Sequence, residues 1–301
     1  MNGWTGGQYS VFRVALGATL VWRLAALAAG GTGGVRWLAA SGALCALALA
    51  AGWRDRIAAW VLIVVSALLM TSVPGLPTVP GISIGALLLV HALLPSAPYG
   101  SVDARGRPDP SGRWRFPGPL LLAIRSLVAV SLLWLAIGTD AAVALDDPMP
   151  LLLFAVLSVD PAWIRPRRFD GGAPRVYYDG SCGLCHTTVR FLLSEDRGGE
   201  IRYAPFASES FASERDLPED LPDSVIVRVG DRLLVRSAGV LVLGEACGGL
   251  WRVLALVVGL VPRPLLDFAY DRVAAARQRL FRRPDGLCPI VPPALRARFL
   301  P

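Results

Sequence analysis

Six apolar stretches, each of roughly membrane-spanning length, constrain the fold of this chain more than any other feature. They lie at about 10–29, 37–53, 57–73, 77–95, 118–138 and 148–164, judged against the ~20 residues that cross a bilayer core as a helix. A backbone within hydrocarbon must satisfy its own hydrogen bonds, which helices do. The sequence therefore predicts an α-helical membrane bundle of about six spans.

The composition agrees with a membrane protein. The chain is 54% hydrophobic with a mean hydropathy of +0.51, yet its formal net charge is +7. Soluble proteins rarely combine the two, whereas membrane proteins with basic cytoplasmic loops do. No basic block is interleaved with aromatic residues, so we expect membrane lipids as partners and no nucleic acid. We also expect no cleaved signal peptide, because the first residues carry no basic segment.

The arginines are distributed unevenly over the predicted loops. Nine of them, from Arg54 to Arg168, fall on one side, whereas Arg36 alone falls on the other, beside three aspartates. Positive loops stay in the cytoplasm. We therefore predict a multi-pass protein of the cell (inner) membrane whose N-terminus and C-terminal half are cytoplasmic, provided that the number of spans is even.

A basic linker at 166–173 is predicted to separate a membrane domain at 1–165 from a more polar domain at 174–301. Alternating or β-branched runs predict strands at 175–179, 200–204, 224–229 and 232–236, with helices at 182–194 and from Ser237. Gly230 and Asp231 predict a hairpin between the last two strands. The order βαβ, hairpin, helix is that of the thioredoxin fold. The expected fold class is thus an α-helical membrane bundle followed by an α/β thioredoxin-like domain.

A seventh apolar run, 249–261, is short for a span and contains Arg252. We interpret it as a helix packed in the C-terminal domain or lying on the membrane surface. An amphipathic helix is predicted at 264–283, with arginines in its last turns that suit an anionic leaflet.

Cys182 and Cys185 are the only pair among the five cysteines with a recognised chemical spacing. They follow a predicted strand and a turn at Asp179, and they open a helix whose unpaired N–H groups and dipole favour a thiolate. A helix that begins near Cys182 places Cys185, Val189 and Leu192 on the face turned toward the sheet. This register predicts that Cys182 is the exposed attacking thiol and Cys185 the shielded resolving thiol.

Other interpretations of the cysteine pair stay open. A structural zinc site needs four ligands, and no second cysteine or histidine pair is present. The pattern Cys-x-x-Cys-His, completed by His186, also occurs at c-type haem attachment sites. A structural or regulatory thiol pair without turnover is the third alternative. We favour dithiol–disulfide exchange, with no metal and no cofactor beyond the redox-active pair itself, and with a quinone as a further redox partner to consider.

Asp179 is the third candidate catalytic residue beside Cys182 and Cys185, and His186 and Cys288 are auxiliary candidates. Asp179 either moves protons for the buried thiol or fixes the turn with a side-chain hydrogen bond. His186 either stabilises the Cys182 thiolate by its charge or is a solvated helix residue. Cys288 either forms a mixed disulfide with the site or takes no part in redox chemistry.

The segment 178–185, Tyr-Asp-Gly-Ser-Cys-Gly-Leu-Cys, the helix 266–273, Leu-Asp-Phe-Ala-Tyr-Asp-Arg-Val, and the late Cys288 resemble the DCC family of thiol-disulfide oxidoreductases. The resemblance covers about 172–301 and implies a thioredoxin-like fold with disulfide exchange at the two motif cysteines. It also implies a proline facing the cysteines, for which Pro222 is the candidate. The first half looks like the membrane part fused to some members of this family.

Ionisable residues inside the predicted spans are costly and often functional, and four of them form one group of candidates. They are Arg13, His91, Arg125 and Asp160, all within one layer near the cytoplasmic ends. One interpretation is that the arginines extend to the interface and that Asp160 pairs with Arg125. The other is a polar pocket under the redox domain that holds a quinone-like or lipid headgroup.

These observations predict a membrane-anchored thiol-disulfide oxidoreductase. Its substrate would be a protein or small molecule that carries a thiol or disulfide, and a reducing cytoplasm favours reduction of that substrate. The alternative from another class is a membrane transport or lipid-handling protein whose C-terminal domain senses redox state.

Overall fold

A computed structural model of the chain describes residues 2–76, 78–137, 147–214, 217, 224–280 and 293–301. The chain divides into two compact units. The first comprises Met1–Arg105 and Trp114–Asp160, and the second comprises Gly106–Arg113 and Pro161–Pro301.

Helices build the first unit, and each lies on one of the predicted apolar stretches. Thr5 starts the first helix, because its hydroxyl accepts a hydrogen bond from the Gln8 N–H at 3.3 Å. Gly52, in the left-handed conformation at φ +69, ends the second. The helices are α1 (Gly6–Gly30), α2 (Gly33–Ala51), α3 (Asp55–Ser72), α4 (Thr78–Leu93), α5 (Gly118–Ile137) and α6 (Met149–Ser158).

The predicted count of six membrane spans is not confirmed. Within the described residues, α1, α2 and α3 are long and apolar enough to cross a membrane. The other apolar segments, Pro80–Leu93, Gly118–Val130 and Met149–Ser158, are shorter. A helix rises 1.5 Å per residue, so the ten residues of α6 reach only about half of a ~30 Å hydrocarbon core. Three helices near the N-terminus could therefore span a membrane.

A four-stranded mixed sheet is the centre of the second unit. Its strands are β1 (Arg175–Tyr178), β2 (Arg202–Pro205), β3 (Ile226–Val229) and β4 (Arg232–Val235). The spatial order is β2-β1-β3-β4. Strand β1 is parallel to β2 and antiparallel to β3, and β3 is antiparallel to β4. Gly230, at φ +55, makes the tight turn of the hairpin. The predicted strands and hairpin are confirmed, each to within two residues.

The helices of the second unit complete the predicted order of elements. They are α7 (Gly183–Glu195), the short α8 (Glu209–Ala212), α9 (Arg236–Cys247), α10 (Gly249–Val258), α11 (Arg263–Leu280) and the short α12 (Pro293–Arg296). Helix α7 follows β1, and α9 follows β4, so the order βαβ, hairpin, helix is present.

Side chains of β1 alternate between the two faces of the sheet, as a strand requires. Val176 and Tyr178 join a buried cluster with residues of α7, including Val189 and Leu192. Tyr177 points to the opposite face, where it packs with residues of β2 and β3. The cysteine-bearing helix is thus held on the first face by its own apolar stripe.

The apolar run 249–261 forms α10 and a corner rather than a helix of spanning length. Ala255 is buried and lies so close to Gly244 of α9 that a Cβ there would sit 3.0 Å from the Ala255 Cβ. The axes of α10 and α11 are bent by 114° relative to each other. The prediction of a short helix packed in the C-terminal domain agrees with this contact, although the bent pair taken as one span would make a fourth candidate.

Candidate active site

The cysteine pair lies where the chain leaves β1 and enters α7. The Asp179 carboxylate oxygen Oδ1 accepts hydrogen bonds from the Ser181 N–H at 2.8 Å and the Ser181 hydroxyl at 2.7 Å. The Cys182 N–H donates to the Asp179 carbonyl at 3.2 Å. These bonds fold the turn tightly, and Cys182 then becomes the N-cap residue of α7.

The two sulfurs differ in exposure, and both cysteines are free thiols. Cys182 is partly exposed at the helix N-terminus, where unpaired backbone N–H groups favour negative charge. Cys185 is only 3% exposed and packs within the cluster that contains Val176, Tyr178 and Val189. The arrangement suits attack from Cys182 and resolution by Cys185, and that assignment of roles stays a prediction.

His186 is buried beside the same turn. It is 7% exposed, its Nε2 lies 2.7 Å from the Gly180 carbonyl oxygen, and its ring meets the Tyr178 ring edge-on at 6.0 Å. A carbonyl oxygen can only accept, so Nε2 carries the proton in this bond. The interpretation of His186 as a solvated helix residue is wrong, because the turn before Cys182 folds back over its ring. His186 holds that turn in place.

An apolar groove of about 380 Å³ opens beside Cys185. Helix α7 supplies Leu184, Cys185 and Thr188, α9 supplies Val240 and Leu241, and α11 supplies Leu266, Tyr270 and Val273. The Thr188 hydroxyl is already bonded to the Leu184 carbonyl at 3.0 Å. A substrate lying in this groove would contact mainly hydrocarbon next to the shielded sulfur.

Polar contacts fix α11 as one wall of the groove. The Asp267 carboxylate accepts hydrogen bonds from the Ser237 hydroxyl at 2.5 Å and the Ser237 N–H at 3.2 Å. These hydrogen bonds lower the pKa of Asp267. The Tyr270 hydroxyl accepts from the Val225 N–H at 3.1 Å, and Arg236 pairs with Asp271 at 3.1 Å. The sequence analysis predicted this helix from its amphipathic pattern and quoted it for the family resemblance, and the contacts give its polar residues a role.

Some predicted residues are not at the described site. Pro222 and Cys288 lie outside the described residues. Cys247 is a partly exposed free thiol that packs against the main cluster of the second unit, and burial raises its pKa well above the ordinary value for a thiol. Within the described residues, no group of three or more His, Cys, Asp and Glu side chains could hold a metal ion.

The first unit brings Arg13 and His91 together around a residue that the sequence analysis missed. Asp55 Oδ2 lies 3.5 Å from Arg13 Nη1 and 3.7 Å from His91 Nε2. His91 Nδ1 lies 2.5 Å from the Tyr9 hydroxyl. All four residues are at most 2% exposed. A Cβ at Gly52 would overlap the Arg13 guanidinium, so the glycine makes room for this buried cluster.

Arg125 and Asp160, also predicted, meet each other. Arg125 Nη2 lies 3.8 Å from Asp160 Oδ2, and Asp160 also accepts a hydrogen bond from the Gly3 N–H at 2.6 Å. The interpretation that Asp160 pairs with Arg125 therefore agrees with the structure. The four ionisable residues that were predicted to share one layer therefore form two groups of contacts. Arg13 and His91 lie around Asp55, and Arg125 lies beside Asp160.

The site thus has a partly exposed cysteine that caps a helix after the first strand of a mixed sheet, and a second cysteine buried one turn further, an arrangement that suits a dithiol pair. The chain belongs to the DCC family. Residues 176–283 match the family described as DCC1-like thiol-disulfide oxidoreductase, which supports a redox role.

Two curated relatives are similar to this domain. The uncharacterized protein YuxK of Bacillus subtilis is 29% identical over 127 residues, which cover 41% of this chain and 91% of that protein. A chloroplastic DCC family protein of Arabidopsis thaliana is 30% identical over 117 residues, which cover 38% of this chain and 67% of that protein. No solved structure shows significant similarity to the chain.

Proposed function

We propose that this protein is a membrane-anchored thiol-disulfide oxidoreductase whose second unit is a thioredoxin-like domain. The observation that carries the proposal is the unequal cysteine pair, with Cys182 partly exposed at the N-cap of α7 and Cys185 3% exposed on its inner face. A redox pair needs one sulfur that a substrate can reach and one that is held back until the first has reacted. The order of the strands supports the proposed fold.

The exchange proceeds through a mixed disulfide. The Cys182 thiolate attacks one sulfur of a substrate disulfide, a new S–S bond forms, and the other substrate sulfur leaves as a thiolate that takes up a proton. Cys185 then loses its proton and attacks the Cys182 sulfur, which releases the second substrate thiol. The substrate has gained two electrons and two protons, and the enzyme keeps a Cys182–Cys185 disulfide. An external dithiol must reduce that disulfide for the next turnover.

The redox unit is proposed to face the cytoplasm. If α5 and α6 both cross the membrane, the chain crosses it twice between the arginine-rich segment before α5 and the one after α6. The two segments then lie on the same side. These segments contain Arg105, Arg107, Arg113 and Arg115, and then Arg165, Arg167 and Arg168. Clustered arginines favour the cytoplasmic side. A reducing cytoplasm would set the direction toward reduction of substrates.

Coupling to a quinone-like or lipid ligand stays a prediction. It is supported by the burial of Arg13 and His91 with Asp55 in the first unit, since ionisable groups among apolar helices are costly and often functional. If such a ligand takes part, replacing His91 with Ala should slow redox cycling in membranes and leave exchange with a soluble model disulfide unchanged. Equal cycling by a properly inserted His91→Ala variant would contradict the coupling.

Turnover tests the enzymatic proposal against the alternative of a redox-sensing domain on a transport or lipid-handling protein. The full-length protein in liposomes is supplied with dithiothreitol and a model protein disulfide, beside the variants Cys182→Ser and Cys185→Ser. With dithiothreitol we expect turnover by the wild type and none by Cys182→Ser. Without dithiothreitol, which would reduce a mixed disulfide, we expect the pre-reduced Cys185→Ser variant to accumulate a mixed disulfide with the substrate. A wild type no faster than the Cys182→Ser variant would remove the enzymatic proposal and favour the sensor.

A further inference from the structure

The corner between α10 and α11 carries an unusually apolar exposed surface. Its large exposed side chains include Leu254, Leu256, Val257, Leu260, Val261 and Leu265. Leu260, at the apex, is 84% exposed. Soluble proteins scatter single exposed apolar residues, but a contiguous apolar surface marks a place where another apolar phase is contacted.

The corner is held firmly by the residues behind it. On the α10 side, Ala255 is buried against Gly244 of α9. On the α11 side, Asp267 is bonded to Ser237. The bend of 114° between the two helices therefore presents the residues around Leu260 outward. Folding has buried Ala255 of α10, whereas every residue from Leu256 to Leu265 is exposed.

Basic side chains surround this corner. Arg263 begins α11 and is exposed, and the Arg272 guanidinium lies 4.8 Å from the centre of the Phe268 ring, also exposed. Three arginines, Arg236, Arg263 and Arg272, face two carboxylates there, those of Asp267 and Asp271, and Arg236 pairs with Asp271 at 3.1 Å. The net charge at the rim is therefore positive, which complements anionic lipid headgroups.

We infer that the corner between α10 and α11 inserts into the headgroup region of an anionic bilayer as an interfacial anchor of the second unit. Helix α10 has ten residues and is about 15 Å long at 1.5 Å per residue, which is too short to span a bilayer. A helix that lies in the interface instead buries its apolar side chains among the lipids. The main part of the second unit, Pro161–Pro301, directly follows the last segment of the first unit, and the first unit contains the candidate spans. If those spans lie in the membrane, the covalent link holds the corner at a high effective concentration near the bilayer. A weak affinity of the corner for lipid is then enough for binding.

Depth-dependent fluorescence quenching tests the inference in the full chain. A Leu260→Cys variant, in a background with the five native cysteines changed to Ser, carries an environment-sensitive fluorophore and is reconstituted in phosphatidylglycerol-containing liposomes. The quenchers are lipids with a nitroxide near the headgroup, lipids with a nitroxide at the chain end, and aqueous iodide. A label at Glu200→Cys, an exposed position in the loop before β2, is the matched control.

We expect the label at position 260 to be quenched most strongly by the shallow nitroxide, since an interfacial helix sits about 5–10 Å into the headgroup and acyl boundary. The label at 200 should respond to iodide alone. Iodide quenching at 260 equal to that at 200 would overturn the inference. Shielding from iodide and from both lipid quenchers would overturn it as well, because it would show that protein covers the corner, either the first unit or a second copy of the chain.

Charge reversal tests the role of the basic rim. The change Arg263→Glu in the labelled variant should weaken shallow quenching in anionic liposomes. A glutamate at the start of α11 is favoured by the helix dipole, so reduced quenching would not result from loss of this helix. Unchanged quenching would overturn the proposed pairing with anionic headgroups. The readout does not use catalysis and is independent of the proposed redox function.

Discussion

Asp179 and Ser181 are joined by two hydrogen bonds, both accepted by Asp179 Oδ1, one from the Ser181 N–H at 2.8 Å and one from its hydroxyl at 2.7 Å. The turn that delivers Cys182 to the N-terminus of α7 is therefore fixed by a side chain three residues before the cysteine. The sequence analysis left two roles open for this carboxylate, the turn and proton transfer. The structure shows the bonds that the first role requires, and the second remains a hypothesis.

Substitution at Asp179 separates the two roles. Asparagine keeps an oxygen that can accept the Ser181 bonds, whereas alanine does not. We expect Asp179→Asn to retain most of the exchange rate with an unchanged pH profile, and Asp179→Ala to be several-fold slower because its turn is looser. The rates are measured on the full-length protein with a model disulfide. A loss in Asp179→Asn of about 10²–10⁴-fold, the range of general acid–base catalysis, would instead favour proton transfer.

The cysteines should differ in their reaction with a bulky maleimide. Cys182 is partly exposed and Cys185 is 3% exposed, so Cys182 should be labelled first in the folded protein and Cys185 only after denaturation. Peptide mass spectrometry gives the labelled fraction of each residue over time. Equal labelling rates in the folded protein would contradict the helix register and, with it, the assignment of roles to the two cysteines.

Local patterns predicted the elements around the cysteines. The β-branched and aromatic run of β1, the turn at Asp179 and the apolar spacing of α7 lie within a short stretch of chain, and the structure has all three. The hairpin after β3 depended on Gly230, whose φ is +55. These features are set by interactions between residues close in sequence, which is why a pattern reveals them.

The buried cluster around Asp55 could not be predicted in this way. The sequence analysis did not single out Asp55, which stands between two arginines and between two apolar runs. In the structure Arg54 adopts a left-handed conformation at φ 45, Asp55 starts α3, and its carboxylate turns inward to Arg13. His186 was misjudged for a similar reason, since its partner is the Gly180 carbonyl of the preceding turn. The burial of Asp55 depends on how separate helices meet, and the burial of His186 depends on how the turn before Cys182 folds.

Cys247 should be unreactive over a wide pH range. Burial raises the pKa of its thiol, whereas an unfolded thiol ionises near pH 8.5. We expect its alkylation by iodoacetamide to stay slow from about pH 7 to about pH 9, the range over which a free thiol ionises. The pKa of this thiol is higher in the folded than in the unfolded state, so the unfolded state loses the proton first as the pH rises. The free energy of unfolding should therefore fall once the pH exceeds the pKa of the free thiol. Cys247→Ser should remove this part of the pH dependence, and alkylation that rises with pH would contradict the prediction.

Asp267 should contribute to the stability of the second unit in a pH-dependent manner. Ser237 lowers its pKa by hydrogen bonding, so its contribution is present above the unfolded pKa of about 3.9 and is lost as the pH falls through the folded value. Asp267→Ala should lower the free energy of unfolding at neutral pH by about 0.5–1.5 kcal/mol, the usual net contribution of a hydrogen bond. Asp267→Asn keeps the acceptor but not the charge, and it should lose the acid dependence. Urea unfolding at two pH values measures both, and identical acid dependence in the wild type and Asp267→Asn would contradict the assignment.

Arg13 and Asp55 form an ion pair with a high desolvation cost, because both side chains are at most 2% exposed. Their attraction offsets the cost of removing each charge from water, and removal of one partner leaves the other buried and uncompensated. We expect Asp55→Ala to destabilise the protein by about 3–5 kcal/mol, the usual cost of breaking a buried pair. The double variant Arg13→Leu with Asp55→Leu should recover much of this loss, because apolar residues of similar volume replace both charges.

The matched control is a second ion pair of the first unit, that of Arg125 with Asp160. Arg125 is 35% exposed at its side chain, so its pair with Asp160 is partly solvated and Arg125→Ala should cost much less, toward the 0–1 kcal/mol that is usual for exposed pairs. Thermal unfolding in detergent micelles, followed by circular dichroism, ranks the four proteins. If Asp55→Ala melts with the wild type, the cluster around Asp55 does not carry the buried charge that its geometry indicates. If the double variant is no more stable than Asp55→Ala, the contacts of Arg13 and Asp55 with Gly100 and His91 contribute more than the pair itself.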